Sequence, residues 1–238
     1  MDTLVMENVV AGYGDVEVLH GISAKVSKGG FTCIIGPNGS GKSTLIRSIL
    51  GLASIWKGKV FFNSEEITSL ETDVIVKRGV ALVPQGRRVF SHMSVMENLE
   101  LGTTAMNDRR KAKKRLESML EMFPVLSSKS KEQAYTLSGG QQTILCIARA
   151  LAYEPDLLIL DEPSLGLAPK FVTEVFETIM NINKLGTTVL MVEQNVRKAL
   201  EVADNIYVLD LGKNVFYGTS DELLNNQILV DLYLGKRS

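Results

Sequence analysis

Lys42 stands at the end of a glycine-rich stretch, GPNGSGKS, that begins at Gly36 and meets the pattern G-x-x-x-x-G-K-[ST] at every required position. Glycines in such a loop let successive backbone N–H groups turn inward as a nest for an anion. An apolar run precedes the stretch and a helical pattern follows it, so the positive end of a helix adds to the nest. The spacing therefore predicts a phosphate-binding loop made of Gly36, Pro37, Asn38, Gly39, Ser40 and Gly41. Lys42 is placed to reach the β- and γ-phosphates, and Ser43 to offer its hydroxyl to Mg2+, with Thr44 beside it.

Two carboxylates make a second centre. LLILDEP, from Leu157 to Pro163, is an apolar run that ends in Asp161 and Glu162. A strand this apolar is buried on both faces, so its charges must sit at the ligand end of a parallel sheet. Asp161 is suited to the Mg2+ shell, and Glu162 to orienting or deprotonating the attacking water. A third group, Glu193, Gln194 and Asn195, sits at the mouth of the apolar run 187–192, where polar residues face a ligand.

These centres need a scaffold, and the patterns supply one. Alternating runs at residues 4–10 and 16–26 read as strands joined by a Gly-rich turn, AGYGD. Strands are also expected at 31–35, 59–62, 79–83, 157–160, 187–192 and 206–209, with helices at 170–184 and 196–203 between the later ones. That alternation argues for a mostly parallel α/β sheet. Between residues 85 and 151 the texture turns helical. Leu116, Met119, Leu120 and Phe123 share one helix face, Pro124 ends that helix, and SGGQQTILCIARAL opens another at a Ser-Gly-Gly turn. The reading is one domain over 1–238, with a core at 1–84 and 152–238 and a helical insert at 85–151.

Composition narrows the class. The 238 residues are 45% hydrophobic and 22% charged with a net charge of −1, which gives no global attraction to nucleic acid. No run has the eighteen or so apolar residues of a membrane span. The expectation is a cytoplasmic chain whose membrane role comes through a partner. Cys33 and Cys146 have no metal-ligand spacing and read as buried free thiols. The basic run at 109–115 reads as a solvated helix face. Trp56 is open between a partner contact and packing beside the neighbouring Gly-Lys turn.

LSGGQ, from Leu137 to Gln141, narrows the family. The order GPNGSGKST, Gln85, LSGGQ, LILDE resembles the ATP-binding subunits of ABC transporters over essentially the whole chain. VPQGRRVFSHMSVMENL, DEPSLGLAP, VEQN and the tail LYLG resemble one branch, the subunits that serve branched-chain amino acid uptake. The resemblance implies an α/β P-loop fold with an N-terminal antiparallel β layer, and MgATP hydrolysis by a head-to-tail pair of ATP-binding subunits, identical or not. Ser138, Gly139, Gly140 and Gln141 of one subunit would then close over ATP held by the other. It implies that Tyr13 stacks on adenine and that Gln85 contacts Mg2+ and the attacking water. The helical insert would face transmembrane permease subunits on the cytoplasmic side of the membrane, and a substrate-binding protein would act further out.

Two departures stand out. The family usually has a histidine at the γ-phosphate where this chain has Gln194, whose amide donates a hydrogen bond but carries no charge. Leu165 and Ala168 occupy places where many relatives have a serine and an aspartate. Amides or urea as cargo, a non-transport ABC-type ATPase, and a P-loop kinase are the alternatives at this stage.

Overall fold

Phe31–Ile35 (β3) is FTCII, five residues all buried, and it forms the spine of the molecule. The computed structural model describes residues 1–104, 106 and 108–229. The tail motif LYLG lies outside them. β3 pairs in parallel with Thr188–Glu193 (β8) on one side and Asn205–Asp210 (β9) on the other. Leu157–Asp161 (β7) and Val80–Val83 (β6) extend the parallel array beyond β8. Lys213–Gly218 (β10) closes the far edge antiparallel, giving the order β10-β9-β3-β8-β7-β6. The register sets Ile35 opposite Glu193 and Asp161 opposite Val192, so three strand mouths open at one edge.

A second sheet is antiparallel and built near the N-terminus. Asp2–Tyr13 (β1) pairs with Val16–Ser27 (β2) and with Ser54–Phe62 (β4), and β4 with the short Glu65–Glu66 (β5). Lys42–Ile49 (α1) runs between the two sheets. Its Leu45, Ile46 and Ile49 share a core with Leu4, Val9 and Val60 of the small sheet and with Ile34 and Leu190 of the large one. The other face of β3, through Phe31, Cys33 and Ile35, packs into a different core. This is the period-two alternation of a strand buried on both sides.

The second core joins the sheet to the helical region. After Thr72–Lys77 (α2) and β6 come Val95–Leu101 (α3), Arg109–Met122 (α4), Pro124–Ser127 (α5) and Gly139–Leu151 (α6). Pro124 ends α4 as the spacing predicts and at once opens α5 from its first position, where a missing N–H costs nothing. Met119 and Phe123 bury the expected face of α4, while Leu116 and Leu120 pack at its margin. Ile144, Leu145, Ile147 and Ala148 of α6 share one core with Phe31, Leu158 and Val189 of the sheet. Pro169–Lys184 (α7), Val196–Val202 (α8) and Ser220–Leu224 (α9) complete the fold. No helix among the described residues is long and apolar enough to cross a membrane.

Several smaller features bear on the sequence expectations. β1 and β2 run longer than the alternation suggested, so the turn between them shrinks to Gly14 and Asp15. Both cysteines are free and buried. The Trp56 ring lies over Gly12, where any Cβ would strike it. In the basic run, Arg115 turns partly inward to the Leu151 carbonyl at 2.8 Å.

The segment that leaves β6 is held by one buried amide. Asn98 is fully buried. It accepts from Phe90 N at 2.9 Å and from Arg149 Nη1 at 3.3 Å, and donates to the carbonyls of Phe90 and Ser94 at 3.0 and 2.9 Å. Asn98→Ala leaves a cavity at a fully buried position, takes the acceptor from Phe90 N and removes the side-chain tie between residues 90–94 and Arg149. It should lower stability by about 2–4 kcal/mol in urea or guanidinium melts with an unchanged slope.

Candidate active site

The loop 36–41 leaves β3 and enters α1 through backbone that only glycine adopts with ease. Gly39 and Gly41 have φ of 79° and 101°. A Cβ on Gly36 would collide with the Leu209 carbonyl. Gly41 is the N-cap of α1 and gives no side-chain cap, and the first turn has no acid, so the first N–H groups of α1 are open to an anion. Lys42 folds back over this loop. Its Nζ donates to the carbonyls of Gly36 and Pro37 at 2.8 and 2.9 Å. Burial lowers its pKa, against the pull of Glu162 and Asp161. Ser40 Oγ is buried in the same loop without a partner among the described residues, and Ser43 is exposed.

The carboxylates arrive from β7. Asp161 Oδ1 is buried and has no hydrogen-bond partner among the described residues. Burial, helped by the neighbouring Glu162 charge, raises its pKa to about 6. Glu162 is 6% exposed and has φ of +48°, left-handed backbone that is costly for a non-glycine residue and concentrates at functional sites. Its N–H bonds the Val192 carbonyl at 2.9 Å. Its two carboxylate oxygens are gripped from two loops: Gln85 Nε2 donates to Oε2 at 2.8 Å and Gln194 Nε2 to Oε1 at 2.7 Å.

The trio at the mouth of β8 divides its labour. Gln194 alone turns toward the site. Asn195 is the N-cap of α8 and accepts from Lys198 N, so the cap does not explain Gln194. Glu193 lies inside β8 and is 1% exposed; its carboxylate accepts from backbone N–H groups of Ser164, Gln194 and Asn195. Burial raises its pKa against these donors.

One open cleft is lined jointly by Asn38, Lys42, Ser43, Thr44, Gln85, Glu162 and Gln194. Tyr13 stands at its border, its hydroxyl 3.5 Å from Thr44 Oγ1. The Arg47 guanidinium lies 5.8 Å from the Tyr13 ring centre and donates to its hydroxyl at 3.3 Å. Ser138, Gly139, Gly140 and Gln141 do not line this cleft. Ser138 and Gln141 form a capping box at the start of α6. A Cβ on Gly140 would press on the Phe171 side chain, whereas one on Gly139 would meet the movable guanidinium of Arg87. Leu165 is 48% exposed, and Ala168 begins α7 with no side-chain cap.

Sequence reasoning did not find Arg47, which sits five positions after Lys42 with nothing in its spacing to mark it. Glu193 was grouped with the ligand-facing residues. The signal against that was present: a carboxylate that continues an apolar strand must find backbone donors.

A strand, glycine-rich loop and helix with a lysine at the loop's end, beside a strand ending in Asp-Glu, define a P-loop nucleoside triphosphatase. The family model described as ABC transporter matches residues 19–165, and the chain belongs to this family as an ATP-binding, ATP-hydrolysing subunit. It is 41% identical to the high-affinity branched-chain amino acid transport ATP-binding protein BraG of Pseudomonas aeruginosa, over 98% of this chain and 99% of that one. It is 42% identical to the probable branched-chain amino acid transport ATP-binding protein LivF of Archaeoglobus fulgidus, over 94% and 95% of the two chains. Among solved structures it is similar to a nucleotide-free ATP-binding cassette from an ABC transporter, with a TM-score of 0.87, 30% identity, and coverage of 99% and 100%.

The half-buried Asp161 carboxylate opposes folding when nothing binds it. Its pKa of about 6 lies above the unfolded value near 3.8. The folded state therefore binds the extra proton between these values, and stability falls as pH rises through them. In metal-free, nucleotide-free protein, Asp161→Asn should raise stability above pH 6 by about 1–2 kcal/mol, a figure reduced for screening at this partly exposed group. The gain should vanish near pH 4. Paired thermal melts across pH 4–8 in chelator read both limbs.

Proposed function

We propose that this chain hydrolyses MgATP at the cleft between the 36–41 loop and Glu162, and that the energy drives uptake of branched-chain or other hydrophobic amino acids through separate membrane subunits. The observation that carries the catalytic assignment is the Glu162 carboxylate held by the Gln85 and Gln194 amides at the cleft wall. The cargo reading rests on what the two relatives named above transport.

The reaction follows from the groups. ATP phosphates enter the loop nest, and the Lys42 ammonium exchanges the Gly36 and Pro37 carbonyls for phosphate oxygens. Glu162 accepts a hydrogen bond from the attacking water and aligns it on the γ-phosphorus. The orphaned Asp161 oxygen and the exposed Ser43 hydroxyl fit a hard cation, with Gln85 at hand. Mg2+ bound there would neutralise charge on the β- and γ-phosphates. Gln194 has two amide protons; one is used on Glu162, and the other is available to a γ-phosphate oxygen. A neutral imidazole has a single N–H and cannot do both. Tyr13, backed by Arg47, offers a stacking face for adenine.

The remaining parts are assigned to assembly. Ser138 and the Gly139 and Gly140 N–H groups at the start of α6 lie away from this cleft, which supports their use on ATP held by a second ATP-binding subunit. A groove of about 530 Å³ lined by Leu82, Pro84, Phe90, Leu101, Arg149 and Tyr153 is largely apolar and lies next to Gln85 in sequence. It supports docking of a permease segment, with the chain peripheral on the cytoplasmic membrane face and a substrate-binding protein acting only through the permease.

Glu162→Gln keeps the shape but removes the carboxylate. Turnover should fall on the order of 10²-fold or more with ATP binding intact. A larger ATP-dependent species should appear on sizing chromatography, with the sister subunit present if the pair is mixed. Wild-type turnover in this variant sinks the assignment of Glu162. Lys42→Ala should weaken binding of a fluorescent ATP analogue at least tenfold, since about 1.5–3 kcal/mol rests on a charge-assisted bond. Gln194→Ala should slow single-turnover cleavage about tenfold while ADP affinity stays within twofold. Cleavage at the wild-type rate removes Gln194 from the site.

A further inference from the structure

We propose that Glu193 is a positioning residue for hydrolysis, a buried clasp that sets the distance between Glu162 and Gln194. The inference rests on the catalytic reading of Glu162 above. The two side chains meet at 2.7 Å but ride on different turns, one after β7 and one after β8. Each turn is tied to Glu193. Its Oε1 accepts from Ser164 N at 3.1 Å, two residues beyond Glu162. Its Oε2 accepts from Gln194 N at 3.1 Å and Asn195 N at 3.2 Å. One carboxylate thus spans both turns, with one oxygen for each.

A carboxylate is an unexpected choice here. Glu193 ends a strand of six buried residues and is 1% exposed. Desolvation disfavours its charge, and an apolar side chain would satisfy the strand's packing. What an apolar residue cannot do is accept from three N–H groups on two segments at once. Both segments need restraint. Glu162 is held at φ of +48° and would relax toward ordinary backbone if the turn were free. The Gln194 turn must present its amide on the wall of the cleft. The 162–164 turn also leads to the exposed Leu165, so a shift there is transmitted through the clasp to Gln194.

Glu193→Gln tests the clasp with little change in volume. Its amide keeps one acceptor oxygen and turns the other position into a donor facing backbone N–H groups, so one turn is released. We expect single-turnover ATP cleavage by the assembled ATPase to fall about tenfold, with affinity for a fluorescent ATP analogue within twofold. Because Glu193 acts through the Glu162–Gln194 contact, its effect should largely disappear in a Gln194→Ala background. Strictly additive losses in that cycle, or a wild-type cleavage rate in Glu193→Gln, overturn the proposal. If Glu193→Gln does not fold, Glu193→Asp is read in the same cycle. It keeps the charge and the near donors Gln194 N and Asn195 N but falls short of Ser164 N. Activity surviving Glu162→Gln would instead overturn the catalytic reading, a failure seen in a different variant.

Discussion

A carboxylate placed where water scarcely reaches is costly unless its oxygens are met by donors. Glu162 is met by two side-chain amides, from Gln85 at 2.8 Å and Gln194 at 2.7 Å. The rest of the molecule can be read as the support for that arrangement. β7 delivers the carboxylate, β6 ends just before Gln85, and β8 ends just before Gln194. Parallel pairing in register makes the three mouths open at the same edge. Were β8 to slip by one residue, the period-two rule would exchange the residues it sends to the two cores.

The loop at the end of β3 completes the site from the other side. Its chemistry is backbone chemistry, so glycine is required where a Cβ would collide or where φ is left-handed. Lys42 rests on the loop's own carbonyls, so the chain itself satisfies its ammonium. The unpartnered oxygens of Ser40 and Asp161 are the opposite case: polar atoms already buried whose hydrogen bonds the chain itself does not supply. A site poised in this way favours its ligand because the desolvation cost has been met in folding.

The departure at Gln194 has a physical rationale. An amide lacks the charge of an imidazolium but offers two donors, and one of them is already on Glu162. The Ser138–Gln141 turn does not line the cleft, and its two polar side chains are closed on each other in a capping box.

Local chemistry was legible in the sequence. The phosphate loop, the Asp161–Glu162 pair, the LSGGQ turn and the main strand–helix alternation rest on spacing, apolar runs and caps within short windows, and such features are decided by neighbours along the chain. The short α2 and α9, the two-residue β5 and the edge strand β10 were not legible, because their existence depends on what they pack against or pair with. The same limit applied to roles. Sequence placed Glu193, Gln194 and Asn195 together at a strand mouth. Tertiary structure separated them into a buried carboxylate bonded to backbone N–H groups of two turns, an amide that meets Glu162, and a helix cap. The reason is physical: where a side chain points, and which distant N–H groups answer it, is set by the register of β8 between β3 and β7 and by the turn after β7 at Ser164, neither of which is encoded in the three residues themselves.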